Sequence, residues 1–127
     1  MQELIRDFLK EKVFAVAGSF RNQDKFAYRI FKGLREKGYE VFPVNPKIAL
    51  LEGVACYKSI TDISSKVGVV NLVTPPYVTE SIVRECLDKK IKKVWMQPGA
   101  ESKEAIDFCR LNGIAVVYGV CVMMELL

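Results

Sequence analysis

Four short stretches of this 127-residue chain carry residue types whose chemistry suits an anionic, nucleotide-like molecule. Gly18-Ser19 closes an apolar run that starts at Val13. Such a run reads as a buried parallel strand, and glycine lets the backbone leave it sharply and approach a ligand. Amides ahead of the following helix, which starts near Phe26, attract phosphate oxygens. The full dinucleotide fingerprint Gly-x-Gly-x-x-Gly is absent, because Gly18 alone falls between Ala17 and Lys32. The second stretch, Asn45-Pro46-Lys47, follows a strand ending at Val44. An NAD site usually has an aspartate or glutamate there for the ribose hydroxyls. An amide and a cation instead suit a ribose that bears a phosphate, as in NADP or coenzyme A. Thr74-Pro75-Pro76 and Gln97-Pro98-Gly99-Ala100 likewise follow apolar runs.

Composition narrows the chemistry. The chain has no histidine, and Cys56, Cys86, Cys109 and Cys121 form no Cys-x-x-Cys pair, so a metal site would need widely scattered thiols. Free thiols and no metal are expected. The net charge of +4, from 19 basic and 15 acidic residues, is mild and lacks basic blocks. Without a basic recognition helix or an aromatic platform, nucleic-acid binding is disfavoured, and the charge suits a small polyanion. No apolar run approaches the ~20 residues of a membrane span, and Met1–Lys12 is charged and amphipathic where a signal peptide would be apolar. A cytoplasmic protein with no membrane contact is expected. Hydrophobic residues make up 50% of the chain, enough for one domain over residues 1–127 with a real core.

The elements that must position these stretches follow from periodicity. Leu4, Ile5, Phe8 and Leu9 predict an amphipathic N-terminal helix, and Ala27, Ile30, Phe31 and Leu34 a second, stopped at Gly38. Tyr39–Val44 is the next strand, completing a β-α-β unit. A short edge strand is predicted near Val54–Tyr57, then a helical turn at Ser59–Ile63 capped by Ser59. Val67–Val73 is a buried strand followed by a helix with Pro76 in its first turn. Asn71, polar inside that strand, reads as a core amide satisfied by its neighbours. Lys93–Met96, a helix capped by Ser102 and ending at Asn112-Gly113, and a strand at Ile114–Val117 complete the chain. Such alternation predicts an α/β fold: a single doubly wound, mostly parallel sheet of five to six strands, in order 3-2-1-4-5 with the sixth at the edge. Loops at the strands' carboxyl ends then meet in a crevice where the order reverses: residues 18–25, 45–47, 74–76 and 97–100.

Val-Ala-Gly-Ser at 16–19, Gly-Tyr-Glu-Val-Phe-Pro-Val-Asn-Pro-Lys at 38–47, Trp-Met-Gln-Pro-Gly-Ala at 95–100 and the late Cys121 resemble the small stand-alone CoA-binding proteins. That family is similar to the N-terminal domain of the succinyl-CoA synthetase α subunit, with a Rossmann-like fold. The resemblance implies that Gly18 and Ser19 hold the pyrophosphate, with Lys25 in the basic position before the first helix of the β-α-β unit. It implies that Val44, Asn45 and Pro46 border the adenosine and that Lys47 approaches its 3′-phosphate. Thr74, Pro75 and Pro76 would support the linker to the pantetheine, with Gln97, Gly99 and Ala100 along the far wall. Cys121 would lie on the ligand side, near the CoA thiol. The chain departs from the family at Gly68, where many relatives have aspartate, and at Thr74-Pro75-Pro76. The synthetase's phosphohistidine lies outside this domain, so its reaction does not transfer.

Two functions are open at this stage. In the first the chain binds CoA or an acyl-CoA as a carrier, sensor or accessory module for a protein partner, without catalysis of its own. In the second it is an NADP-dependent or thiol-redox enzyme using the same site. Against the second stand the missing glycines, the lack of a histidine beside Cys121, and the scarcity of acids near the loops, where only Asp24 and Glu101 occur.

Overall fold

The structure, a computed structural model, describes residues 1–20 and 25–127. Its elements run α1 (Gln2–Leu9), β1 (Val13–Gly18), α2 (Phe26–Glu36), β2 (Glu40–Val44), β3 (Leu50–Leu51), β4 (Val54–Ala55), a 3-10 turn at Ile60–Asp62, β5 (Val69–Val73), α3 (Pro76–Asp88), β6 (Lys93–Met96), α4 (Lys103–Leu111), β7 (Ala115–Tyr118) and α5 (Val122–Glu125). Among the described residues, five strands form a parallel sheet in the order β2-β1-β5-β6-β7. The doubly wound α/β architecture expected from the sequence is thus present. No helix among the described residues is long and apolar enough to cross a membrane.

Period-two alternation sends side chains to two cores. Phe14, Val16, Val69, Trp95 and Val117 pack beneath α1, α2 and α5. Ala15, Ala17, Val70, Leu72, Val94 and Met96 pack beneath α3, α4 and the 3-10 turn. Because both faces are covered, the central strands are apolar at nearly every position. At the amino ends of the strands, Lys93 pairs with Glu11 and Asp7 across the α1–β1 junction. Gly68 leaves room there for Glu11, which accounts locally for the missing aspartate.

The predicted edge strand is corrected in part. Val54–Ala55 pairs antiparallel with Leu50–Leu51 in a separate hairpin, whose tip, Glu52-Gly53, has φ of 52° and 77°. Only Tyr57 reaches the main sheet, through one parallel bridge to Val44. Its amide donates to Pro43 O at 2.9 Å, and its carbonyl accepts from Asn45 N at 2.8 Å. Pro43 shows why the ladder is so short: its carbonyl faces this edge, so its missing N–H would have been on the same side. Ser59 is corrected too. Its hydroxyl lies 2.9 Å from Thr61 Oγ1, and the Ile60 amide is met by Glu85 Oε1 of α3 at 3.0 Å. Ser102 does cap α4, accepting from Ala105 N at 3.1 Å.

Gly18 sits where β1, β5 and α2 crowd together. A β-carbon built on it would lie 2.7 Å from Ala27 Cβ of α2, 2.9 Å from Val73 O and 3.1 Å from Val73 Cβ. The glycine is therefore needed for packing of helix and strand around the end of β1. Gly18→Ala should cost about 1–3 kcal/mol through overpacking, a fall in Tm of roughly 5–10 °C. A circular-dichroism melt checks this, and an unchanged Tm would mean that α2 does not sit so close.

Cys86 and Cys109 are fully buried between the sheet and its helices, whereas Cys56 and Cys121 are half-buried. Burial pushes the Cys109 thiol up to about 11, and it raises the Cys86 thiol as well, assisted by Cys109 and Glu85 nearby. Thiolate is the reactive form. Native alkylation with iodoacetamide near pH 8 should label Cys56 and Cys121 while sparing Cys86 and Cys109. Mass mapping that finds all four labelled at one rate would contradict this packing.

Candidate functional site

The strand order reverses between β1 and β5: the chain passes from β1 outward to β2, then returns across β1 to β5 on its other side. Connections on the two sides diverge there and leave a crevice beyond the carboxyl ends. A cavity of about 520 Å³ opens at this point. It lies on the α3 side of the sheet, over Ala17, Val44 and Ile60 of that core.

Each bordering element presents a different chemistry. Gly18 and Ser19 form the end of β1. The end of β2 and the turn after it supply Val44, Asn45, Pro46 and Lys47. The Asn45 amide is used twice by the protein itself: Nδ2 donates to Gly18 O at 2.7 Å, and Oδ1 accepts from Lys47 N at 2.8 Å. The first bond ties the ends of β1 and β2 together, and the second closes an Asx turn that fixes where Lys47 starts. Asn45 is thus a positioning residue whose side chain has little left to offer a ligand. Thr74 and Pro75 lead into α3. Thr74 Oγ1 lies 2.6 Å from the buried Thr79 hydroxyl. In the first turn of α3 the Val78 and Thr79 amides return to Pro75 O at 2.9 and 3.0 Å, while Pro76 has no N–H. Tyr77 N–H is left as a first-turn donor without a helical acceptor, at the positive end of a 13-residue helix.

Several predicted positions lie away from the cavity. Pro76 is the first residue of α3 but does not line it. Lys25 stands at the N-cap position of α2, without a side-chain capping bond, and is exposed outside the cavity; residues 21–24, including Asp24, lie outside the described residues. The Gln97–Ala100 block has its own structural account. Ala100 N donates to Gln97 O at 2.8 Å and Gly99 has φ of 96°, a type II turn with Pro98 and Gly99 in their favoured places. Gln97 is fully buried: Nε2 donates to Asn71 Oδ1 at 2.7 Å, and Oε1 accepts from Val122 N at 3.2 Å. The expectation for Asn71 is met by half, since its Oδ1 is bonded and its Nδ2 has no partner. Cys121 precedes α5 and does not line the cavity either.

Sequence reasoning missed Lys58, Ser59, Ser81 and Glu85, all of which line the cavity. A signal for the last two existed: Val78, Ser81 and Glu85 fall at i, i+3 and i+7, beside the stripe of α3 that enters the core. Lys58 and Ser59 offered no pattern, because only the Tyr57 bridge brings them to the end of β2.

The assembled chemistry is that of an anion site with an apolar wall. Hydroxyls of Ser19, Thr74 and Ser81, a helix N-terminus and two lysines face one carboxylate. Among the described residues, no group of three or more His, Cys, Asp or Glu is placed to share a metal ion. The volume falls within the ~300–1,000 Å³ usual for small-molecule sites.

Comparison with known proteins points the same way. A family model described as a CoA binding domain matches residues 12–126. A conserved hypothetical protein from Pyrococcus furiosus is 37% identical, with a TM-score of 0.87 over 91% of this chain and 99% of that one. A hypothetical protein from Pyrococcus horikoshii is 34% identical, with a TM-score of 0.93 over 98% of this chain and 89% of that one. An ADP-forming acetate–CoA ligase from Methanocaldococcus jannaschii is 31% identical over 81 residues, 64% of this chain; the chain spans 12% of that ligase's length. With the match extending from just before β1 to just past α5, the chain belongs to the CoA binding domain family.

Proposed function

We propose that the chain binds coenzyme A or an acyl-CoA in the crevice between β1, β2 and α3 and serves as a carrier, sensor or accessory module. The observation that carries this reading is the end of β2. Where a carboxylate would receive the hydroxyls of NAD, the Asx turn of Asn45 delivers Lys47 to the cavity, and Tyr57 brings Lys58 beside it. Two cations there suit a ribose 3′-phosphate, which CoA has and NAD lacks. Ser19, Thr74 and the Tyr77 amide would meet the pyrophosphate, and Val44 and Ile60 would flank the base.

A binding role fits the groups present better than a redox one. Glu85, the cavity's carboxylate, is already tied to the Ile60 amide. Cys121 does not line the cavity. Ligation, the activity named for the Methanocaldococcus jannaschii relative, is not proposed for a chain spanning 12% of it. The share proposed here is the holding of CoA.

Thermal shift should rank CoA above dephospho-CoA and both above NAD, because a ligand that binds only the native state raises its stability. A charge-assisted contact to the 3′-phosphate predicts a CoA preference over dephospho-CoA of roughly tenfold. Lys47→Ala should narrow that gap without lowering the Tm of the free protein. A larger shift with NAD or NADP, or an unaltered ranking in Lys47→Ala, would require another ligand or another place for the phosphate.

A further inference from the structure

The cavity has a second pole that the phosphate chemistry does not use. One face of α3 lines it from Tyr77 to Glu85, eight residues or roughly 12 Å of helix. The near end holds the anion-binding groups. At the far end stands Glu85, opposite Ile60 of the 3-10 turn, with Val78 and Ile82 between the two poles. Glu85 Oε1 accepts the Ile60 amide at 3.0 Å, so the carboxylate is held in place against the wall. That bond uses one of about four lone-pair sites on an ionised carboxylate. The remaining acceptors border a cavity that Ile60, Val78 and Ile82 line together with Ser59 and Ser81.

Resting on the CoA reading above, we infer that Glu85 reads the exocyclic amino group of the adenine, making it the specificity-determining residue for the base. The purine lies against Ile60, with Val44 and Ile82 as the other apolar lining, and its 6-amino N–H donates to the free acceptors of Glu85. The pantetheine arm also carries amide donors. It leaves across Thr74 and Pro75, whereas Glu85 shares its end of the cavity with Ile60, two residues from Lys58. Phosphate cannot lie at this pole, because a carboxylate and a phosphate there would repel. The cavity thereby fixes a direction, pyrophosphate at the start of α3 and base toward its third turn.

Calorimetric titration of the whole chain with CoA and with its analogue bearing hydrogen in place of the 6-amino group tests this directly. The wild type should bind CoA about tenfold more tightly, the worth of one charge-assisted bond. Glu85→Gln keeps an oxygen for the Ile60 amide but turns an NH2 toward the base. It should weaken CoA, leave the analogue's affinity unchanged and shrink the preference to about threefold or less. Equal binding of the two ligands by the wild type, which needs no variant to fold, overturns the role of Glu85 while leaving CoA binding intact. A preference that survives Glu85→Gln overturns it equally. If neither ligand binds, the CoA reading itself fails, and this inference falls with it.

Discussion

The close approach of three backbones at Gly18 is the constraint on which this molecule depends. There β1 ends beside Val73 of β5, and α2 packs over the junction with Ala27. A side chain would have to push one of them away. Because the sheet order reverses between these same two strands, this crowded point is also where the connections part. The crevice is open because α2 and α3 leave in different directions, and its rim is firm because nothing at Gly18 can give. Asn45 extends that firmness sideways by bonding Gly18 O and its own turn at once.

A second buried feature works in the other direction. Asn71 and Gln97 place two amides inside the core beneath α5, and Gln97 bonds the first amide of that helix. Trp95 Nε1 donates to Val120 O at 3.0 Å beside it, so the chain's last turn is held by polar bonds that originate in the sheet. An unpartnered Asn71 Nδ2 in this setting is a cost typically of about 1–3 kcal/mol. The arrangement trades stability for a fixed docking position of α5.

Most of the architecture was legible because burial on both faces writes strands as apolar runs and helices as stripes. Gly18, Ser19, Val44 to Lys47, Thr74 and Pro75 could be placed at one crevice from topology alone, since each follows a strand that ends there. The positions that fall away from the cavity have particular causes. Gln97, Gly99 and Ala100 follow a strand too, but β6 is one place removed from the reversal, and their residue types serve a type II turn and a buried amide pair. Lys58 was invisible for the opposite reason. It reaches the cavity through one tertiary bridge, which leaves no periodic trace.

The hairpin of β3 and β4 separates the two lysines of the cavity, and its geometry gives it a particular freedom. Lys47 is set by the Asx turn before it and Lys58 by the Tyr57 bridge after it, so both cations are anchored at its base. Its tip is a two-residue turn with both residues left-handed, and nothing lies within 4 Å of where a Gly53 side chain would begin. Chain length at that tip is therefore decoupled from charge spacing at the base. A fluorophore, an epitope or an entire guest domain grafted between Glu52 and Gly53 would ride on the molecule without separating the two lysines.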